Sequence, residues 1–274
     1  EPISPGQAVR IFTGAPMPPG ADTVFMQEDV QVEGDTVILP PGLKPGSNSR
    51  LTGEDVKKGA VVLPAGRRLA TQDIALAAGI GLTRLKVRRR VRVALFSTGD
   101  EIVEPGQPRP NASTYDANRY LLSGMLERLG ATVTDLGIIK DEPASLVKAI
   151  GEAARTNDLV LTSGGVSTGE ADYVRDAVEK VGKLVFWRVA IKPGRPVAMG
   201  VIPGSSPGTS AAFMGLPGNP VAAFVTFARV ARPLLLRLAG ALPEPLIALP
   251  VRLSFAYKKK SGRREYVQIG RAHV

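Results

Sequence analysis

The sequence predicts a doubly wound α/β domain, preceded by a small N-terminal β domain and followed by the start of a second β domain. Three observations carry this expectation. From Val91 onward, short apolar runs alternate with amphipathic helical segments, the rhythm of a parallel sheet with helices on both faces. Turns rich in Gly or Pro follow those runs, above all at Ser163-Gly164-Gly165 and Pro217-Gly218-Asn219-Pro220. Before residue 55 the chain is instead rich in Pro, Gly and Asp, with short runs such as Thr23–Met26 and Val37–Leu39, as tight-turned β structure requires.

The segment Asp158–Asp172 is the centre of the pattern. Leu159 to Ser163 reads as a strand covered on both faces, and Gly164 and Gly165 let the backbone turn sharply and approach a ligand. Ser167 or Thr168 is placed to cap the next helix, whose inward positions Val174, Ala177, Val178 and Val181 follow the helical period up to Gly182. Free backbone N–H groups and the positive end of a helix dipole would face a bound anion there, and a phosphate suits them. Glu170 and Asp172 are either helix-starting carboxylates or ligands of a metal that accompanies the phosphate.

Taken in order, the chain opens on a strand-like Ala8–Phe12 and divides into a small β domain over 1–55 and a connector lobe over 56–86 with a helix at Thr71–Ala78. The α/β domain is expected over 87–242. Val91–Phe96 is its first strand and Ser97-Thr-Gly-Asp-Glu101 the loop that follows. Asp116–Leu129 is a helix with Leu121, Leu122, Met125, Leu126 and Leu129 on one face, stopped by Gly130. Thr132–Ile139 is a strand, and Asp141-Glu-Pro143 opens a helix with Leu146, Val147 and Ile150 inward and Asp141 as its cap. Further strands are expected at Leu184–Ile191, after Lys192-Pro-Gly-Arg-Pro196, and at Ala211–Leu216. Asn219 as cap and Pro220 at the first helical position then start a single long helix to about Leu238. Residues 243–268 begin a further β domain, and 269–274 read as a non-native tail. The first residues read as the middle of a longer protein.

Composition excludes several chemistries. With no cysteine in 274 residues and a single histidine, His273, neither thiol catalysis, cysteine-ligated metals nor an imidazole catalyst is expected, which leaves carboxylates, Lys, Arg, hydroxyls and backbone amides. No apolar run is long enough to span a bilayer and no signal peptide opens the chain, so the expected compartment is the cytoplasm. The net charge of +10 gathers at Arg84–Arg92 and Lys258–Arg264. Neither cluster sits in a nucleic-acid-binding motif and aromatic residues are 5% of the chain, so a solvated basic face that also attracts a small polyanion is expected rather than nucleic acid. In a doubly wound sheet, ligands bind beyond the C-terminal strand ends, and Asp100, Glu101, Asp141, Glu170, Asp172, Lys192 and the Pro217–Pro220 turn all fall there.

Six segments together resemble the molybdopterin molybdenumtransferase family, of MoeA and gephyrin E-domain type. They are Thr13-Gly-Ala-Pro-Met-Pro-Pro-Gly-Ala-Asp22, Gly53-Glu-Asp55, Phe96-Ser-Thr-Gly-Asp-Glu101, Ser163-Gly-Gly-Val-Ser-Thr-Gly-Glu-Ala-Asp172, Ala190-Ile-Lys-Pro-Gly-Arg-Pro196 and Leu216-Pro-Gly-Asn-Pro220. The resemblance implies a MogA-like molybdopterin-binding domain and a C-terminal β-barrel domain of which only the truncated start is present. It implies molybdate insertion into adenylylated molybdopterin with release of AMP, Mg²⁺ as the divalent ion, and a homodimer whose cleft the partner subunit completes. Carried over by position, Asp55, Glu101, Asp141, Asp172 and Lys192 would be catalytic, and Glu101, Asp141 and Asp172 would also hold the metal. Thr13, Arg50, Ser163, Gly164, Gly165, Ser167, Arg188, Pro217 and Pro220 would bind substrate.

Two departures accompany the match: the family's Asp-Gly-Tyr/Phe-Ala segment is expected ahead of residue 1, and Gln268 stands where related sequences can carry a basic residue. The rival expectations are a molybdopterin adenylyltransferase, which shares the α/β domain and would otherwise be a partner, and a gephyrin-like non-catalytic scaffold. The first has no use for the 13–55 lobe; the second could dispense with Asp172, Glu101 or Lys192, all of which are present.

Overall fold

The computed structural model describes residues 2–166 and 173–267. Two compact units meet in sequence between Pro64 and Ala65. In the first, β1 (Gln31–Glu33) and β2 (Thr36–Ile38) form an antiparallel hairpin whose turn uses Gly34 at φ 57°. The segments Ala8–Phe12 and Thr23–Met26, expected as strands, form no ladder among the described residues. Loop contacts hold the second of them: Val24 N donates to Ser47 O at 3.1 Å and Asn48 Nδ2 to Val24 O at 2.8 Å.

The second unit contains α1 (Thr71–Gly79), β3 (Arg92–Thr98), β4 (Ile102–Val103), β5 (Thr114–Tyr115), α2 (Asn118–Arg128) and β6 (Thr132–Ile139). They are followed by α3 (Pro143–Thr156), β7 (Leu159–Ser163), α4 (Tyr173–Val181), β8 (Lys183–Arg188), β9 (Ile191–Lys192), β10 (Pro196–Pro203) and β11 (Ser210–Leu216). The six-stranded sheet has the order β6-β3-β7-β11-β10-β8. Its first four strands are mutually parallel, whereas β10 runs antiparallel to both neighbours. The turns at 189–195 and 204–209 are too short for the crossover that a parallel neighbour needs, so the doubly wound sheet is mixed.

Alternation in the central strands divides the core into two layers. Ala94, Phe96, Val160 and Phe213 face α3 and α4, meeting Leu146, Ile150, Val174 and Val178. Val93, Leu95, Leu159, Leu161 and Met214 face the other way, against Leu122 and Leu126 of α2 and Phe227 and Leu235 near the C-terminal helices. Burial of each such Leu or Phe contributes about 1.5–3 kcal/mol, which explains why the central strands read as continuous apolar runs.

The helix expected from Pro220 to about Leu238 is divided. α5 (Pro220–Thr226) passes through a π-helical turn (Phe227–Ala231) into α6 (Arg232–Leu238). Thr226 Oγ1 takes up Ala222 O at 2.7 Å and Ala223 O at 3.1 Å, and Pro233 has no N–H to continue the ladder. In the segment after 243, β12 (Arg264–Glu265) pairs in parallel with β9, while Ile247, Leu249, Val251 and Phe255 are exposed. No helix among the described residues is long and apolar enough to cross a membrane.

Part of the first basic cluster has a structural role. Arg89 grips Asp158 with two hydrogen bonds of 2.6 and 2.7 Å, and Arg92 N adds a third of 2.8 Å. These bind the lead-in to β3 to the start of β7. The Arg89 guanidinium, opposed by burial and helped by the Arg92 amide, lowers the Asp158 carboxyl to about 2. A depressed folded value means that this stabilisation is complete above the ordinary carboxylate range and is lost as pH falls towards about 2. We predict that Asp158→Asn costs about 1–2 kcal/mol at pH 7, and that the difference from the parent shrinks between pH 5 and pH 3. Equal urea midpoints at pH 7 would contradict this.

Candidate functional site

The strand order reverses between β3 and β7. From β3 the chain passes through α2 to β6 on one side, and from β7 it passes through α4 to β8 on the other. This opens a crevice above the C-terminal ends of β3 and β7, the place where doubly wound sheets bind ligands.

The glycine turn forms one wall. Gly164 (φ 87°) and Gly165 (φ 64°) both lie in the left-handed region. A Cβ on Gly164 would meet Thr98 O at 2.2 Å, and one on Gly165 would meet Val174 at 2.4 Å and Thr98 Cγ2 at 2.6 Å. The turn therefore lies directly against the end of β3, and only glycine permits that approach. Gly164 N donates to Leu216 O at 3.0 Å, so the same turn also touches the end of β11. There Pro217 is buried, and Asn219 Oδ1 accepts from Ala222 N at 3.0 Å, starting α5 with Pro220 in its first turn.

An acidic loop forms the other wall. Gly99 (φ 144°) leaves β3, and its missing Cβ leaves space for Glu101 Oε2. Glu101 O accepts from Thr114 N at 2.8 Å, which fixes the loop through the short β4–β5 pairing. Thr98 Oγ1 donates to Asp141 Oδ1 at 3.4 Å. Asp141 therefore does not cap α3 as expected: Glu142 occupies the cap position without a side-chain hydrogen bond, and Asp141 turns to the crevice. Burial raises the Asp141 carboxyl above the ordinary range, the charges of Asp100 and Glu101 push it further, and only the Thr98 hydroxyl opposes them. Three hard carboxylates with mutual repulsion suit a divalent cation, although among the described residues no cluster of three side chains forms a ready metal cage.

Ser163, Gly164, Gly165, Pro217 and Pro220 thus sit in one connected wall, with Glu101 in the loop after β3 and Asp141 in the loop after β6 on the other side. Arg188 ends β8, the edge strand of the six-stranded sheet, and Lys192 lies in β9, which pairs with β12 outside that sheet; both are exposed. Lys192 O accepts from Tyr266 N at 2.7 Å, and Glu265 is its register partner across β9–β12. In the N-terminal unit, Thr13 is exposed, and Arg50 pairs with Asp55 at 3.0 Å with both side chains about three-quarters exposed. Ser167, Thr168, Glu170 and Asp172 lie outside the described residues.

Two residues at the start of α2 were not foreseen. Asn118 Nδ2 donates to Ser163 Oγ at 2.8 Å and to Gly218 O at 2.7 Å. Arg119 is buried and holds Asp116 at 3.0 Å together with Glu104 and Asp135. Burial alone would lower the Arg119 pKa, but its three carboxylate partners raise it, so it stays charged. Because Glu104 and Asp116 flank the β4–β5 pairing, Arg119 fastens the acidic loop to α2 and β6. The signal available in the sequence was a polar pair at positions where a helix start already explains polarity.

Residues 94–237 match the sequence family described as "Probable molybdopterin binding domain", and residues 1–81 match the "MoeA N-terminal region (domain I and II)". A molybdopterin molybdenumtransferase of Haemophilus influenzae is 47% identical over 85% of this chain and 56% of its own length. One of Nostoc is 41% identical over 87% of this chain and 54% of its own length. The chain therefore spans little more than half the length of these curated relatives. A crystal structure of a molybdopterin biosynthesis moeA protein from Pyrococcus horikoshii superposes with a TM-score of 0.66 at 30% identity, covering 88% of this chain and 57% of that one. With the first match taking in more than half of the chain and the second its N-terminal unit, the chain belongs to the MoeA family of molybdopterin-binding-domain proteins.

Proposed function

We propose that the protein is a molybdopterin molybdenumtransferase, which inserts molybdate into adenylylated molybdopterin and releases AMP. One observation carries the reading most directly. A glycine turn suited to a phosphate and a strained acidic loop suited to a cation converge at the switch point of the sheet. The names of the relatives agree with it, and an adenylyltransferase reading leaves the match over residues 1–81 without a use.

In this reading Ser163, Gly164, Gly165 and Ser167 receive the phosphates, and Pro217 and Pro220 shape the adjoining turn. Glu101, Asp141 and Asp172 would hold Mg²⁺, which would supply Lewis-acid stabilisation of charge on the phosphate. Lys192 and Arg188 screen the same charge as a molybdate oxygen displaces AMP. Thr13 and Arg50 contribute to substrate binding and Asp55 to catalysis in a cytoplasmic homodimer. A molybdopterin adenylyltransferase is the partner whose reaction supplies the substrate.

AMP release with and without molybdate and Mg²⁺ tests the reaction. We expect Asp172→Asn to lower molybdate-dependent release by at least ~10²-fold while preserving the fold; wild-type turnover in that variant would remove Asp172 from the chemistry.

Asp141→Asn is expected to do two opposite things. Its folded carboxyl is raised, so the stability linked to its proton is present below the ordinary carboxylate range and lost as pH rises through the folded value. Asparagine keeps an oxygen for the Thr98 hydroxyl and removes the repulsion. The variant should therefore melt above the parent at pH 7, with the gain fading below about pH 4, while AMP release falls at least ~10²-fold. A melting temperature below the parent's at pH 7 would show that Asp141 supports the fold instead.

A further inference from the structure

We infer that Asn118 is a positioning residue that holds the two turns of the anion site at a fixed spacing. Its carboxamide spends both N–H groups on this task, one on Ser163 Oγ at 2.8 Å before the Gly164 turn and one on Gly218 O at 2.7 Å within the Pro217–Pro220 turn. Ser163 Oγ passes the connection on to Pro217 O at 3.4 Å. Since Gly164 also lies against Thr98, one side chain ties the ends of β7 and β11 together above a contact with β3.

A helix-capping role does not account for it. The residue at the cap position of α2 is Ala117, the amide of Arg119 is taken by Asp116 Oδ1 at 3.1 Å, and the Asn118 Oδ1 accepts from no backbone amide. A packing role does not account for it either. Asn118 is 7% exposed and its Oδ1 has no hydrogen-bond partner. Ser97, which continues the face of Val93 and Leu95 towards α2, is 2% exposed and its Oγ is also unpartnered. Burying polar atoms unpaired costs stability, and an apolar side chain at position 118 would avoid that cost. What an apolar side chain cannot do is donate to both turns. The Arg119 ion cluster one residue further on keeps the first turn of α2 in place, so the carboxamide is presented from a rigid base.

The consequence for affinity rests on the function proposed above; the structural part does not. Two variants of the full protein test it, Asn118→Ala and the near-isosteric Asn118→Asp, which keeps the shape and loses both donors. In the unliganded protein, amide hydrogen exchange is expected to quicken at least ~10-fold at 163–166 and 218–219 while α3 keeps its parental rates. In turnover, KM for adenylylated molybdopterin is expected to rise ~10-fold or more with kcat within a few-fold, because the turns hold the phosphates alike before and during reaction. Parental exchange at both turns in both variants would overturn the inference, and so would acceleration spread equally through α3. A parent that releases no AMP would refute the proposed reaction, and the exchange pattern would still decide the role of Asn118.

Discussion

Ser97 and Ser163 lie opposite one another in the parallel pairing of β3 with β7, and that register sets the end of β3 against the glycine turn after β7. It brings the Thr98 carbonyl beneath Gly164, with space there for a hydrogen and nothing larger. A slip of one residue would turn Leu95 and Leu161 out of one core layer and Phe96 out of the other. Because both faces are buried, neither strand can slip to relieve a strained rim. The turns must fit the register, and this is why glycine occupies 164 and 165. The acidic loop, which starts one residue beyond Thr98, inherits its height above the sheet from the same pairing.

The fold treats its acids differently at the two ends of the sheet. At the N-terminal end, Asp158 has two arginine hydrogen bonds and a backbone amide, and its carboxyl is depressed to about 2. At the C-terminal end, Asp141 has a long hydrogen bond from a hydroxyl and two acidic neighbours, and its carboxyl is raised. Nearby Glu104, Asp116 and Asp135 all pair with the one Arg119. A cation was therefore available to the neighbourhood of the crevice, and it supports the loop from behind instead of pairing with its front. Acids that serve the architecture are paired, and the raised one faces the crevice, as expected where a ligand is to complete the balance.

Much of this was legible in the sequence because burial writes itself as period. Leu122 and Leu126, Leu146 and Ile150, and Val174 and Val178 all lie where their spacing put them, and the Asn219-Pro220 start of α5 is where its chemistry demanded. What was not legible depends on partners distant in the chain. The reversal of β10 follows from connection lengths that became clear only once its neighbours were known. The division of the last helix required Thr226 to turn its hydroxyl back onto the backbone, which its residue type permits without dictating. Asp141 before Glu142-Pro143 has the look of a cap, and only the nearness of Thr98, from another strand, draws it away. Asn118 was overlooked for the same reason, since a polar residue at a helix start already had an explanation.

The boundary between core and site can be located to a residue on each central strand. Along the α2 face of β3 the sequence runs Val93, Leu95, Ser97, and along the same face of β7 it runs Leu159, Leu161, Ser163. On the other face Phe96 gives way to Thr98 and Val160 to Thr162. All four residues are at most 3% exposed, so solvent does not explain the change from apolar to polar. Interior strand positions are constrained to be apolar by the two helix layers, and position-specific hydrogen bonding can begin only where those layers end. Ser163 and Thr98 use their hydroxyls to hold Asn118, Pro217 and Asp141, whereas Ser97 and Thr162 leave theirs unpartnered. The last turn of each strand thus acts as a polar collar that belongs to the core by burial and to the crevice by bonding. This is the physical reason that the strands carry the fold while the loops above them, anchored through that collar, are free to carry the chemistry.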